Sequence, residues 1–85
     1  MAKYGYKFTP KAFKKLEKLP GDIQRRIFVK LDYFCETNPM IFAEKLTDWQ
    51  PGEFRFRVGD YRVIFDFEDV TIIILDVGHR REIYR

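Results

Sequence analysis

The sequence predicts an α+β fold in which two N-terminal helices pack on one face of a mostly antiparallel sheet. Apolar residues recur with helical spacing in the first half of the chain and with the two-residue spacing of strands in the second half. Pro and Gly separate the predicted elements, whose order is β-α-α-β-β-β. One sheet covered by helices is a stable two-layer arrangement. With 85 residues, the chain (1–85) is expected to form a single domain.

A short strand and a helix are predicted at the N-terminal end. Residues 4–8, YGYKF, are the strand candidate. Thr9 is a favourable N-cap and Pro10 suits the first helical position, so a helix is expected to begin there. In the following segment, KAFKKLEKL, Phe13 and Leu16 lie on one helical face.

A second helix is predicted over residues 22–37, after a Leu-Pro-Gly break. Asp22 is in position to act as its N-cap. Its apolar residues repeat at helical spacing and form one stripe, which consists of Ile23, Ile27, Leu31 and Phe34. The helix is expected to end before Pro39, so that the two helices form an αα-hairpin. Residues 42–46, FAEKL, are compatible with one more helical turn.

Three strands are predicted at about 53–58, 61–67 and 71–77. The third of these, in the segment VTIIILDV, is apolar at successive positions, which is typical of a central strand buried on both faces. The N-terminal strand is its expected neighbour. A long chain separates the two, so a parallel pairing is allowed.

The first two of these strands form a predicted hairpin with Gly59-Asp60 at its turn. The pairs are then Val58–Tyr61, Arg57–Arg62, Phe56–Val63, Arg55–Ile64 and Phe54–Phe65. Because paired residues share a face, one face of the hairpin is apolar and belongs against the helices. The other face carries Arg55, Arg57 and Arg62.

These three arginines lie on one face although like charges opposite each other destabilise a sheet. The only nearby carboxylate that the pattern places on this face is Asp66. Planar, permanently charged guanidinium groups without carboxylate partners are suited to phosphate recognition. The structural alternative is a polar sheet face whose arginine stems cover apolar surface.

Composition excludes several classes of protein. One cysteine, Cys35, allows no internal disulfide, and it is expected in the core; with a single His, a zinc site is not expected either. No apolar run has the roughly 18 residues of a membrane span, and the N-terminus lacks the apolar segment of a signal peptide, so a soluble cytoplasmic protein is expected. The net charge of +3 divides into +5 for residues 1–45 (10 basic, 5 acidic) and −2 for residues 46–85 (6 basic, 8 acidic). The arginines are therefore a local cluster in an acidic half.

The chain resembles the RelE toxins of toxin–antitoxin pairs. The element order, AEKL at 43–46, GDYRVIF at 59–65 and VGHRREIYR at 77–85 carry this resemblance, which covers nearly the whole chain. It implies a ribosome-dependent endoribonuclease that cuts the mRNA codon in the ribosomal A site without a metal or other cofactor. In that reaction the 2′-hydroxyl attacks the adjacent phosphate in line.

The resemblance also implies roles for individual residues. Arg62 matches the arginine that stabilises the phosphate, Arg80 the arginine assigned as general acid, and Tyr84 the tyrosine that stacks on the mRNA base. Arg55 and Arg57 match two lysines of the family, one of which is implicated in base chemistry. Because arginine does not readily give up a proton, both are expected to clamp phosphate, although Arg57 stays a candidate catalytic residue.

Proton transfer is then left to Tyr84 or His79. Besides the catalytic candidates, the residues expected to bind RNA or its phosphates are Arg55, Arg57, Arg81, His79 and Arg85. The plain alternatives are a strand-end cap for His79, a packing role for Tyr84 and a solvated tail for Arg80 and Arg81.

The predicted site sets a condition on the last hairpin. A two-residue turn at Glu68-Asp69 would pair Arg62 with Leu75 and direct Arg80 to the opposite face. An odd-length loop at residues 68–70, or a bulge near Gly78, would place both arginines on one face. The catalytic hypothesis therefore predicts one of these irregularities.

The resemblance implies partners as well: the ribosome with its mRNA, and a RelB-like antitoxin through which the pair binds operator DNA. An acidic or amphipathic antitoxin segment is expected on the helices or the open sheet edge, where it covers the basic face. Two alternatives stay open. One is a ParE-like inhibitor of DNA gyrase, and the other is a nuclease-inactive nucleic-acid-binding module.

Overall fold

The computed structural model describes residues 4–45 and 54–83. The described elements in chain order are β1 (Gly5–Phe8), α1 (Pro10–Glu17), α2 (Gly21–Thr37), α3 (Pro39–Phe42), β2 (Glu44–Lys45), β3 (Phe54–Val58), β4 (Tyr61–Glu68), β5 (Thr71–His79) and α4 (Arg80–Ile83). The strands form one sheet in the order β1-β5-β4-β3-β2. Only the β1–β5 pair is parallel, so the predicted α+β class and mostly antiparallel sheet are confirmed.

The strand β5 is an interior strand of the sheet, as predicted. On one side it pairs with β1 from Gly5↔Thr71 to Phe8↔Ile74, and on the other with β4. Its residues Ile72, Ile74 and Val77 are buried under the helices, whereas Ile73 and Leu75 on the other face are only partly buried. The expectation of burial on both faces therefore holds fully only for the helix side.

The N-terminal helix begins where its cap predicts. Thr9 has extended backbone angles, and its Oγ1 accepts a hydrogen bond of 3.2 Å from the N–H of Ala12, with Pro10 at the first helical position. Leu16 is buried, but Phe13 is 44% exposed and packs edge-on against Phe8, with 6.0 Å between ring centroids. Ala12 takes the buried position instead, because its small side chain lets α1 approach the sheet.

The second helix begins one residue earlier than predicted, and Asp22 does not cap it. Its N-cap is Pro20, which is extended (φ −55, ψ 147) and makes no side-chain cap bond in the described chain. The carbonyl of Pro20 instead accepts hydrogen bonds of 3.0 Å from both Ile23 and Gln24. Asp22 lies in the first turn, where a carboxylate stabilises a helix through its dipole.

The prediction of a helical turn at residues 42–46 is wrong in position. Asn38 is extended, and its Oδ1 accepts a 3.0 Å hydrogen bond from Met40 N–H, which starts the short helix α3 at Pro39. The chain is extended again at Ala43, and Glu44–Lys45 form the edge strand β2 beside β3. The order is thus the predicted one with three short elements, α3, β2 and α4, added.

A stack of aromatic rings joins the helices to the sheet. Phe56 lies 4.2 Å from Phe65 and 4.5 Å from Phe34 of α2, measured between ring centroids. Phe42 of α3 stacks on Phe34 at 4.5 Å. The buried core around this stack contains Ala12, Leu16, Ile27, Leu31, Cys35, Val58, Val63, Ile72, Ile74 and Val77. The core therefore lies on the helix side of the sheet. Among the described helices, none combines the length and apolar character needed to span a bilayer.

We expect Phe56→Ala to lower the free energy of unfolding by about 3–5 kcal/mol, because it leaves a cavity in the centre of this stack. Urea unfolding followed by circular dichroism measures the change. Phe13→Ala, which removes a ring that is 44% exposed, is the control and should cost about 1 kcal/mol or less. Equal losses for the two variants would contradict the assignment of the core.

A second prediction concerns alkaline pH. Burial, reinforced by the 3.0 Å hydrogen bond from the Tyr6 hydroxyl to Asp32 Oδ1, raises the pKa of Tyr6 from 10.0 to about 12. Between these values only the unfolded chain loses this proton, so the free energy of unfolding should fall as the pH rises from about 10 to about 12. Tyr6→Phe removes this contribution and should flatten the decline, as measured by urea unfolding across that range.

Candidate active site on the arginine face

The β3–β4 hairpin has the predicted register at every described pair, from Phe54↔Phe65 to Val58↔Tyr61. Gly59 adopts φ 61, the left-handed conformation that favours glycine at the first central position of such a turn. Phe56, Val58, Val63 and Phe65 face the helices. Arg55, Arg57 and Arg62 therefore share the opposite face of the sheet, here called the arginine face.

An irregularity in β5 sets which residues join Arg62 on this face. The β4–β5 turn is Asp69-Val70, a two-residue turn, so the odd-length loop is not the irregularity that this hairpin contains. The register shifts between Ile64↔Asp76 and Phe65↔Ile74, which leaves Leu75 as the extra residue of a bulge. Arg62 consequently pairs with Gly78, and a bulge is present as the catalytic hypothesis requires, although it lies three residues before Gly78.

Arg80 lies two residues beyond Gly78, at the start of α4. Its backbone N–H donates a 2.9 Å hydrogen bond to the carbonyl of Asp60, which continues the β4–β5 register to the hairpin turn. Arg80 thus follows the same register as Arg62 and lies at the same end of the sheet. The side chains of Arg80 and Arg81 are exposed and form no ion pair with described residues.

Arg62 is the most unusual charged residue of the described chain. Only 7% of it is exposed, and it is the one buried charged side chain in this part of the protein. Its Nη1 donates hydrogen bonds of 3.0 Å to the carbonyl oxygens of Gly59 and Tyr61. Its Nε is buried without a hydrogen-bond partner among the described residues. A buried donor left unsatisfied costs about 1–3 kcal/mol, more when charged, unless a ligand or water satisfies it.

The expectation that only Asp66 offsets the arginines is wrong. Glu44, on the edge strand β2, pairs across the ladder with Arg55. Its Oε1 lies 3.1 Å from Arg55 Nε and 2.7 Å from Arg57 Nε, so one carboxylate bridges two guanidinium groups. Arg57 is directly opposite Arg62, and the Glu44 pair therefore relieves part of the repulsion between them.

Sequence reasoning missed two residues at this site. Glu44 lies within the AEKL motif, but its role depends on the pairing of a two-residue strand that the hydrophobic pattern does not reveal. Arg26 of α2 is the other: its Nη1 would be 3.7 Å from a Cβ placed on Gly59, so its guanidinium lies beside the hairpin turn. The approach of a helix to a distant turn leaves no local signal in the sequence.

His79 is not on the arginine face. It pairs with Tyr61, whose strand neighbour Val63 faces the helices, and the two rings meet edge-on with 5.5 Å between centroids. His79 Nδ1 accepts a 3.2 Å hydrogen bond from the backbone N–H of Arg81, so the ring caps the start of α4. Tyr84 and Arg85, the other predicted site residues of the tail, lie outside the described residues.

The remaining reactive groups do not build a second site. Cys35 is buried in the core, as predicted, and burial followed by the charge of Asp32 raises the pKa of its thiol. A buried thiol with a raised pKa is a poor nucleophile. Within residues 4–45 and 54–83, no group of three or more His, Cys, Asp or Glu side chains is arranged to hold a metal ion.

Comparison with known proteins identifies the family. Residues 6–84 match the family model described as the ParE toxin of type II toxin–antitoxin systems, parDE. The chain belongs to the RelE/ParE toxin superfamily. The toxin RelG of Mycobacterium tuberculosis is 33% identical over 84 residues, which cover 96% of this chain and 97% of RelG.

Solved structures of this superfamily share the fold. The RelBE2 toxin–antitoxin complex of Mycobacterium tuberculosis matches 93% of this chain and 100% of its own with a TM-score of 0.82 and 30% identity. The RelE–RelB complex of Pyrococcus horikoshii OT3 matches 93% and 97% with a TM-score of 0.70 and 31% identity. A mutant of E. coli toxin RelE in the free state matches 98% and 92% with a TM-score of 0.76 and 26% identity.

The bridge at Glu44 generates a prediction about anion binding. Glu44→Gln removes a negative charge beside Arg55 and Arg57, so the toxin should bind polyanions more tightly, seen as later elution from heparin at a higher salt concentration. Glu36→Gln, on the exposed side of α2, makes the same change in net charge at a distance from the bridge. The same shift in both variants would show that net charge, rather than release of the two arginines, is responsible.

Proposed function

We propose that this toxin cleaves mRNA in the ribosomal A site by attack of the 2′-hydroxyl on the adjacent phosphate. The observation that carries the proposal is the buried Arg62, whose Nε has no partner among the described residues. A phosphate oxygen is an acceptor that matches a guanidinium donor in charge and geometry. A structural arginine would be expected to satisfy this donor within the fold.

The reaction requires cations around the phosphorane, a base for the 2′-proton and an acid for the leaving 5′-oxygen. Arg62, with Arg57 opposite it, supplies positive charge at one place on the arginine face. Arg80 is anchored through its backbone to Asp60 and lies at the same end of the sheet. It is the proposed general acid, the role that the resemblance assigns to it. Tyr84 is proposed to stack on the base of the mRNA.

Glu44 is the general base in this proposal. Arginine does not readily accept this role, and His79 lies on the other face with its Nδ1 engaged. The Glu44 carboxylate touches Arg57 at 2.7 Å and is partly exposed, so it lies beside the position proposed for the phosphate. Glu44 accepts the 2′-proton as the 2′-oxygen forms its bond to phosphorus, and Arg80 donates a proton to the departing 5′-oxygen, which leaves a cyclic phosphate.

A second candidate function is inhibition of DNA gyrase through protein contact. It is favoured by the family model itself, which describes a ParE toxin. Nothing in such a mechanism calls for a buried guanidinium with a donor that lacks a partner among the described residues, and for that reason the ribonuclease is preferred. A nuclease-inactive module, in which the same arginines only hold phosphate, is the remaining alternative.

The proposed cellular setting is a toxin–antitoxin pair in the cytoplasm. The structures from Mycobacterium tuberculosis and Pyrococcus horikoshii are complexes of a toxin with its antitoxin. We propose that a RelB-like antitoxin with an acidic or amphipathic segment covers the arginine face of this toxin, and that the pair binds operator DNA through the antitoxin. The exposed apolar side chains of Val29, Tyr33 and Ile41 offer such a segment additional surface on α2 and α3.

Primer extension on mRNA programmed into ribosomes tests the proposed activity. Cuts should lie within the A-site codon and depend on the ribosome, and Arg62→Ala should slow them about 10²–10³-fold, as expected for loss of a charge-stabilising donor. Arg25→Ala removes an exposed arginine of α2 and is the matched control. Intact mRNA with folded wild-type toxin would overturn the ribonuclease, and loss of gyrase activity in a supercoiling assay would then establish the alternative.

Glu44→Gln tests the base. Cleavage should fall at least about 10²-fold, because general base catalysis typically contributes 10²–10⁴-fold, while binding to programmed ribosomes is retained. Glu36→Gln should cleave normally. A variant that binds more weakly but reacts at the wild-type rate once bound would show that Glu44 only positions the arginines.

A further inference from the structure

A groove lies beside β5, at the edge that β1 leaves uncovered. Pairing between β1 and β5 ends at Phe8↔Ile74, followed by a 2.9 Å hydrogen bond from Thr9 N–H to the Ile74 carbonyl. From there the chain turns into α1, while β5 continues to His79. A groove of about 300 Å³ lies between α1 and this open edge, lined by Lys15, Lys18, Leu19, Val77 and Gly78.

This groove adjoins the proposed phosphate site. Gly78, in its floor, is the cross-strand partner of Arg62. Since glycine has no side chain, nothing from this pair separates the groove from Arg62. Arg57, Arg62 and Gly78 lie side by side on β3, β4 and β5. The distance from the backbone of Arg57 to that of Gly78 is therefore two strand spacings, or roughly 10 Å. The groove thus lies at the uncovered edge of β5, on the α1 side of the sheet, and meets the arginine face at Gly78.

The charges in the groove favour an anion. Lys15 Nζ is held at 2.8 Å from Asp76 Oδ1, and Asp76 also accepts a 2.9 Å hydrogen bond from Val77 N–H. Lys18 lines the groove and forms no ion pair with residues in the described ranges. The groove therefore has one lysine fixed in place and one free to bind, beside the apolar side chains of Leu19 and Val77.

We infer that this groove binds the phosphate of the nucleotide next to the one held by Arg62, with Lys18 as its ligand. The inference deepens the proposed function and rests on it for the position of the first phosphate. An RNA strand that crosses the arginine face from Arg57 to Arg62 passes over Gly78 and reaches Lys18 by turning around the edge of β5 that β1 leaves uncovered. Lys15, held by Asp76, borders the same path and adds positive potential, while Leu19 and Val77 offer apolar contact to the sugar or base.

Short RNA oligonucleotides test this inference without requiring cleavage. The probes are two RNAs, one longer than the other by a single nucleotide phosphate, each with a 2′-deoxy sugar at the cutting position. Fluorescence anisotropy with the full-length toxin should show tighter binding of the longer probe. Lys18→Ala should abolish this gain, leave the shorter probe unaffected, and make the slope of log K against log salt for the longer probe shallower by about 0.7, the loss of one phosphate contact.

The controls separate binding in the groove from general charge effects. Lys14→Ala removes an exposed lysine of α1 that does not line the groove, and it should keep the gain. Lys18→Arg should restore it, since the charge is retained. If Lys18→Ala still binds the longer probe more tightly than the shorter one, the inference is wrong. It is also wrong if Lys18→Ala weakens only the binding of the antitoxin, because the groove would then belong to a protein partner.

The inference and the proposed activity can fail separately. A toxin that gains affinity through Lys18 but leaves programmed mRNA intact supports the groove and overturns the ribonuclease. A toxin that cleaves A-site codons and binds both probes equally in the Lys18→Ala and wild-type forms does the reverse. Circular dichroism of each variant checks that the fold is unchanged. We expect no change for the Lys18 variants, because this side chain is exposed.

Discussion

The stack of Phe34, Phe56 and Phe65 is the contact on which the rest of the structure depends. It joins α2 to the centre of the sheet through ring separations of 4.5 and 4.2 Å. Because neighbouring side chains of a strand point to opposite faces, burying Phe56 directs Arg55 and Arg57 away from the core. A shift of the β3 register by one residue would place those guanidinium groups under the helices, where burying unpaired charges would strongly destabilise the fold. The apolar core thus fixes where the charges lie.

The arginine face accommodates like charges in two different ways. Arg55 and Arg57 share the carboxylate of Glu44, which supports them in a partly exposed ion pair. Arg62 bends toward the carbonyl oxygens of its own turn and stays buried. One pair of arginines is therefore neutralised in part and accessible, whereas the third is fixed and has one donor without a partner among the described residues. Such a combination suits the phosphate site that we propose for this face.

Local patterns predicted most of this fold because they act over short distances. The Thr9 cap, the stripe of α2 and the Gly59-Asp60 turn are all determined by residues within a few positions, and the hairpin register follows from them. The features that were missed are non-local. Glu44 acquires its role from a two-residue strand that forms only against β3, and Arg26 reaches the turn only when α2 docks. The bulge at Leu75 is non-local as well. The Asp69-Val70 turn sets one register for the β4–β5 pair, and the bulge changes that register so that Val77 lies opposite Val63 in the core.

That bulge has a consequence for how the domain tolerates change in length. Side chains of a strand alternate between two faces, so each residue of β5 after Leu75 lies on its present face because one unpaired position has been inserted. Deleting Leu75 would exchange the roles of odd and even positions from Asp76 onward, and Gly78 and His79 would trade sides as a unit. Two opposite changes within β5 would restore the order, whereas one alone would invert it. The faces on which residues 76–79 lie therefore depend on whether the number of inserted or deleted residues is odd or even, and not on how large that number is.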